Sequence, residues 1–224
     1  IGENCPCFIV TELSANHGQD IAKARKIIAS AAKSGADAIK LQTYTAETMT
    51  IKSSQKHFIV EGKNGPDSWK SKTLFELYNE GYTPWEWHKE LKEYAEKLGL
   101  VFFSTPFDAS SVDFLETLEV PLYKIASYEL TDIPLIEKVA KTGKPVFIST
   151  GFGTFEEIEE AHRTLVNNGS KDTAILYCVT NYSKTPNLEK TNLSTLQEIG
   201  KRFDAITGFS DNTGGIEIPH QATI

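Results

Sequence analysis

Seven times along this chain a short apolar run ends in a small cluster of hydroxyl, amide or charged residues. The runs are FIVTELSANH (8–17), IKLQTY (39–44), FFSTPFD (102–108), YKIASYE (123–129), FISTGF (147–152), YCVTNY (177–182) and TGFSDNT (207–213). Each is followed by a stretch of helical character. Parallel strands buried on both faces read as near-continuous apolar runs, and they need helical crossovers between them. The repetition predicts an α/β fold, a (β/α)8 TIM barrel whose chemistry sits where its strands end.

Helix signals follow the tips. Asp20 is placed to cap IAKARKIIASAAKSG, which stops at Gly35. Thr83-Pro84 opens PWEWHKELKEYAEKLG, with Pro84 at the first helical position and Gly99 as the stop. Ser110 to Leu118 and Asp132 to Lys141 give two more helices, Thr154 with Glu157 forms a capping box, and Asn192 to Lys201 gives a last one. The stretch 44–82 breaks the rhythm and is expected to be a long loop serving as a lid or specificity element. A closed barrel needs eight strands, so the chain is expected to be one barrel domain over 1–224, truncated before strand eight.

Composition narrows the partners. A net charge of −7 argues against nucleic-acid and anionic-membrane binding, so a bound anion must be drawn by local geometry. The three cysteines include Cys5 and Cys7 in C-P-C and Cys178 within a strand; they read as reduced thiols of a cytoplasmic protein. No apolar stretch approaches the roughly 18–20 residues of a membrane helix, and no signal peptide is visible.

In a strand, alternate residues face opposite sides. Lys40 and Gln42 therefore oppose Ile39 and Leu41, while Lys124 and Ala126 oppose Tyr123 and Ile125. A lysine inside such a strand requires a counter-charge, supplied by an anionic ligand or by Glu12 or Glu129. Thr105, Ser127, Ser149 and Ser210 add hydroxyl donors at the tips without adding charge, which suits a phosphate or carboxylate. No Walker loop and no G-x-G-x-x-G follows a strand, so a nucleotide is not indicated. His17, at the first tip, reads as a ligand or base. His57, in the long loop, and His88 and His162, on helices, are expected to be solvated; His220 carries no reading.

Taken in order, ELSANH, GADAIKLQTY, FFSTPFD, YKIAS, STG and GFSDNT resemble the sialic acid synthase family across nearly the whole chain. The stretch 44–82 and LFELYNEGYTPWEWH look most like its pseudaminic acid synthase branch. The resemblance implies a metal-assisted condensation of phosphoenolpyruvate with an open-chain acetamido sugar, 2,4-diacetamido-2,4,6-trideoxy-altrose in that branch. Its product would be a nine-carbon 2-keto-3-deoxy acid plus phosphate. By the same resemblance Lys40, Thr105, Lys124, Ser127 and Ser149 hold phosphoenolpyruvate, and Ser210 and Thr180 assist with its carboxylate. Glu12 and Gln42 match positions where the reacting carbons and sugar meet, and Asn16, Glu129 and Tyr182 match the sugar side. Glu12, Lys40 and Lys124 are the implied catalytic residues.

Two departures stand out. Where the family commonly has Ser-Asp-His, with the histidine on a divalent metal, this chain has Ser210-Asp211-Asn212. Asn212 becomes the candidate metal residue, an oxygen donor suited to a hard ion, and a weakened or altered Mn2+ or Mg2+ site is expected. The family also carries a second metal histidine on strand eight and a small C-terminal domain that reaches the neighbouring subunit. A homodimer is therefore implied for the full-length protein, with little activity expected of this chain alone. The alternatives are an N-acetylneuraminate synthase using N-acetylmannosamine, a non-catalytic anion- or sugar-binding barrel, and a Schiff-base aldolase using Lys124 or Lys40.

Overall fold

Side-chain caps placed one residue before apolar helical stretches set where the helices of this chain begin. The computed structural model describes residues 1–2, 5–60, 69–180 and 188–223. It divides into two compact units, Phe8–Pro121 and Leu122–Ile224 with Ile1–Cys7.

The first unit contains β1 (Val10–Glu12), α1 (Ile21–Lys33), β2 (Ala38–Thr43), α2 (Ala46–Met49), α3 (Leu74–Gly81), α4 (Trp85–Lys97), β3 (Val101–Pro106) and α5 (Ala109–Thr117). β1 pairs with β2 and β2 with β3, both in parallel. Asp20 caps α1 as expected, accepting from the Ala22 and Lys23 amides at 2.8 and 3.3 Å. Ile28 of α1 and Leu91 of α4 are fully buried, as are Ile39, Leu41 and Phe103 of the strands. Lys40 and Gln42, on the opposite side of β2, are half-buried, so the predicted alternation holds.

Three expectations are corrected here. Pro84 is the extended residue before α4 rather than its first helical residue, with ψ at 129°. Thr83 does not cap the helix because its hydroxyl is taken by the His17 ring at 3.1 Å. The stretch 44–82 is not one long loop. It contains α2 and α3, and Thr73 and Glu76 form a capping box for α3. The Tyr44 ring meets Tyr78 of α3 edge to face at 5.7 Å and Phe107 at 5.5 Å, tying this stretch to the tips of β2 and β3.

His88 is the third correction: it is fully buried rather than solvated. Its Nδ1 lies 3.2 Å from the Pro84 carbonyl, which can only accept, so Nδ1 carries the proton. Nε2 then accepts from Thr43 Oγ1 at 2.9 Å, and Thr43 accepts from Ser104 at 2.7 Å. Burial pushes the His88 pKa down to about 4.

The second unit contains β4 (Tyr123–Ile125), α6 (Ile133–Ala140), β5 (Val146–Ser149), α7 (Phe155–Asn167), β6 (Thr173–Cys178), α8 (Ser194–Phe203), β7 (Ile206–Ser210) and α9 (Glu217–Ala222). Its four strands pair in parallel in sequence order. Asp132 caps α6 through the Leu135 amide at 3.1 Å, and the Thr154–Glu157 capping box starts α7 as predicted. α8 begins two residues later than expected, at Ser194, because Asn192 turns its side-chain oxygen to the Ser194 hydroxyl at 2.6 Å. His162 is half-buried against the Phe203 ring, not solvated. Among the described residues no helix is long and apolar enough to cross a membrane.

Candidate active site

In the first unit the parallel register places Glu12 beside Lys40 and Gln42 beside Thr105. Glu12 and Lys40 form an ion pair, one of the two counter-charges the sequence allowed. The other Glu12 oxygen accepts from the Ser14 amide at 3.0 Å, and Ser14 Oγ donates to Gln42 at 3.1 Å. Thr105 is 1% exposed and, among the described residues, its hydroxyl is buried without a hydrogen-bond partner. Such a group normally has one, so this hydroxyl is available to a bound molecule. Asn16 is exposed and donates to the Leu13 carbonyl at 3.0 Å.

His17 is no free ligand or base. The Gln19 amide donates to its Nδ1 at 3.0 Å, so the ring proton sits on Nε2 and is given to Thr83. The ring is fully buried, and desolvation lowers its pKa. It fastens the first tip to the start of α4.

In the second unit Lys124 is 4% exposed, and its ammonium donates to Ser149 Oγ at 2.6 Å and to the Ile125 carbonyl at 2.9 Å. Both acceptors are neutral. Burial lowers the Lys124 pKa to about 8, opposed by the nearby Cys178 and Glu129. Burial likewise raises the Glu129 carboxyl to about 7. Glu129 Oε2 is buried without a hydrogen-bond partner among the described residues.

Gly151, at φ +51°, brings its backbone against two predicted site residues. A Cβ there would stand 2.5 Å from Ser127 Cβ and 3.2 Å from Thr180 Oγ1. Only glycine permits that approach without strain. Ser127 and Ser149 are buried, and Thr180 is half-buried. The structure thus gathers Ser127 and Thr180 about Gly151, and Lys124 with Ser149. Ser210 is half-buried on β7, paired in register with Cys178. Tyr182 lies outside the described residues.

Cys178 is a site neighbour that the sequence reading passed over. Its sulfur accepts from Asn212 Nδ2 at 3.3 Å and from Thr180 Oγ1 at 3.8 Å. The available signal was its place, one residue from the end of an apolar run that leads into a polar tip.

A metal finds little here. Among the described residues no three His, Cys, Asp or Glu side chains gather as ligands. Asn212 commits its amide nitrogen to Cys178, and Asp211 accepts from the Thr213 amide and hydroxyl at 2.9 and 2.5 Å. The remaining Asn212 oxygen is a single hard donor, whereas divalent cations take six or more ligands or fill out a shell with water. The described residues do not compose a metal site by themselves.

The NeuB family pattern matches residues 27–224. The chain belongs to the NeuB family. It is 42% identical over 218 residues to a pseudaminic acid synthase of Helicobacter pylori, covering 97% of this chain and 62% of that protein. It is 35% identical over 222 residues to an N,N'-diacetyllegionaminic acid synthase of Legionella pneumophila, covering 97% of this chain and 61% of the relative. The chain therefore spans about three fifths of the curated relatives it matches. Among solved structures, an N-acetylneuraminic acid synthetase of Leptospira borgpetersenii superposes with a TM-score of 0.83 at 32% identity, over 99% of this chain and 70% of that one. The NeuB chain is an α/β protein with the βα repeat of a (β/α)8 barrel.

Proposed function

We propose that the protein condenses phosphoenolpyruvate with an open-chain acetamido sugar, giving a 2-keto-3-deoxy sugar acid and phosphate. The observation that carries this reading is Lys124, a buried cation whose hydrogen bonds among the described residues reach only neutral oxygens. Burial raises the Glu129 carboxyl to about 7, so near neutrality it offsets that charge incompletely. A bound phosphate or carboxylate would complete the balance, and buried donors in fixed positions are the main source of stabilisation for such an anion. Similarity to a pseudaminic acid synthase and an N,N'-diacetyllegionaminic acid synthase supports reading that anion as phosphoenolpyruvate.

In this reading Lys124, Ser149, Ser127 and Thr180 hold phosphoenolpyruvate in the second unit, with Ser210 at its carboxylate. The family resemblance assigns Lys40 and Thr105, of the first unit, to phosphoenolpyruvate as well. A carbon–carbon bond forms between C3 of phosphoenolpyruvate and the sugar aldehyde carbon. The aldehyde oxygen takes up a proton, water adds its oxygen at C2, and the C2–O bond to phosphate breaks. Glu12, held by Lys40 and the Ser14 amide, is assigned the proton relay at the aldehyde. Gln42, Asn16, Glu129 and Tyr182 are assigned to the sugar.

The diacetamido sugar is the proposed substrate within this class, on the strength of 42% identity to a pseudaminic acid synthase. The test is phosphate release from phosphoenolpyruvate by the whole protein, given the diacetamido altrose sugar and N-acetylmannosamine in parallel. Release with the former alone supports the proposal. Release with N-acetylmannosamine alone reassigns the sugar, and release with neither overturns the synthase reading.

A further inference from the structure

Two large aromatic side chains stand in solvent beyond β4 and β5: Tyr128 is 65% exposed and Phe152 67%. Their rings meet edge to face with centroids 5.2 Å apart, the arrangement that ring quadrupoles favour. Both are fastened at the backbone. Tyr128 lies in the single 3-10 turn Ser127–Glu129, between two residues of the candidate site. Phe152 lies between Gly151 and Gly153, and a side chain at either glycine would collide, with Ser127 in one case and with Leu130 in the other. The two segments are pressed together, so the aromatic pair rests on a rigid base.

The same turn carries a second, independent sign of a ligand. Among the described residues, Glu129 Oε2 is buried with no hydrogen-bond partner. A carboxyl oxygen in that state is completed by a hydroxyl or amide from a bound molecule. An exposed apolar ring and a buried polar acceptor on one turn suit a molecule that is apolar in part and polar in part. An acetamido sugar has that character: its hydroxyls and amides seek acceptors, while its acetyl and 6-deoxy methyl groups seek apolar surface.

We propose that Tyr128 and Phe152 form an aromatic platform for the methyl groups of the sugar, and that they set the preference for a diacetamido trideoxy sugar over a more hydroxylated one. This rests on the synthase reading above and deepens it. A hydroxymethyl group set against the rings would lose water without gaining a partner, so the platform discriminates against it.

The experiment measures phosphate release by the whole protein with both sugars, comparing wild type, Tyr128→Ala, Phe152→Ala and the conservative Tyr128→Phe. Each alanine variant is expected to raise the KM for the diacetamido sugar about tenfold and to narrow its advantage over N-acetylmannosamine. The KM for phosphoenolpyruvate and the thermal midpoint stay at the wild-type values, and Tyr128→Phe behaves as wild type. An unchanged sugar KM in both alanine variants overturns the platform while leaving the synthase intact. A parallel rise in the phosphoenolpyruvate KM also overturns it, since that reports a general disturbance of the turn. A wild-type protein that releases no phosphate with either sugar overturns the synthase reading itself, and the platform with it.

Discussion

Lys124 donates to the Ser149 hydroxyl at 2.6 Å, linking the ends of β4 and β5 through a charge that, among the described residues, no carboxylate hydrogen bond neutralises. Replacing Lys124 by methionine removes the charge and keeps most of the volume. Phosphoenolpyruvate binding should fall by at least about a hundredfold, the scale of a charge-assisted contact in a dry site. The thermal midpoint should hold or rise, because a buried charge with neutral partners is costly to the fold. Calorimetric titration and a melting curve on the same variant check both. Binding near the wild-type value would remove Lys124 from the anion site.

The pH dependence follows from the same burial. The Lys124 pKa sits at about 8 instead of 10.5, so the anion-binding ammonium is lost as pH rises through about 8. Phosphoenolpyruvate affinity should decline there by up to about tenfold per pH unit. For stability the sign is opposite. Between about 8 and 10.5 the unfolded chain holds a proton that the folded chain has released, so this group makes the fold more stable as pH rises across that window. A binding profile flat from pH 7 to pH 9 would contradict the assignment.

Cys178 and Asn212 should act as a unit. The thiol receives the Asn212 amide at 3.3 Å and the Thr180 hydroxyl at 3.8 Å, so either truncation frees the same tip. Cys178→Ala and Asn212→Ala are each expected to raise the KM for phosphoenolpyruvate severalfold, roughly 1 kcal/mol apiece. The double variant should be little worse than either single one, because it removes one shared contact. Fully additive effects would show that the two side chains contribute separately.

Much of this was legible in the sequence, for local reasons. The β2 alternation, the Asp20 cap and the Thr154–Glu157 box depend on residues within a few positions of one another. The Glu12–Lys40 pair was legible as an option because a lysine inside an apolar strand calls for a carboxylate, and Glu12 ends another such run. What escaped depends on distant packing. His88 is buried by Thr43 and Ser104, which come from strands elsewhere in the sequence. Pro84 misses the helix because His17 occupies the hydroxyl that would have capped it. The helix inside 44–82 did leave a local trace, Thr73 three residues before Glu76, overlooked beneath the length of the stretch. Glu129 did not become the hydrogen-bonded partner of Lys124, because Ser149 and the Ile125 carbonyl stand at the ammonium instead.

Gly151→Ala tests the close approach at the β5 tip. The φ of +51° and the 2.5 Å approach to Ser127 Cβ leave no room for a methyl group. Destabilisation of about 2–3 kcal/mol is expected, combining a left-handed backbone with overpacking. The phosphoenolpyruvate KM should rise as well, since Ser127 and Thr180 must move. Urea unfolding and steady-state kinetics measure the two effects, and an alanine variant as stable as wild type would show that the tip is not tightly packed.

Acid should weaken the first unit through His88. This ring is neutral in the fold, with its pKa lowered from 6.5 to about 4 by burial. Above pH 6.5 the folded and unfolded forms hold it alike, and stability is unaffected. As pH falls below 6.5 the unfolded chain takes up a proton that the folded chain refuses, so stability is lost progressively until about pH 4. The total loss from this one ring is on the order of 3 kcal/mol. His17, shifted in the same direction by its own burial, adds to the decline. His88→Leu should be less stable than wild type at pH 7, because the Thr43 hydroxyl loses its acceptor at 2.9 Å. Its stability should nevertheless fall less steeply between pH 6.5 and 4, since the titrating ring is gone. Urea unfolding of both proteins across that range gives the comparison, in which the carboxylates common to both cancel. Equal slopes would mean that the buried ring plays no part in the acid sensitivity of the fold.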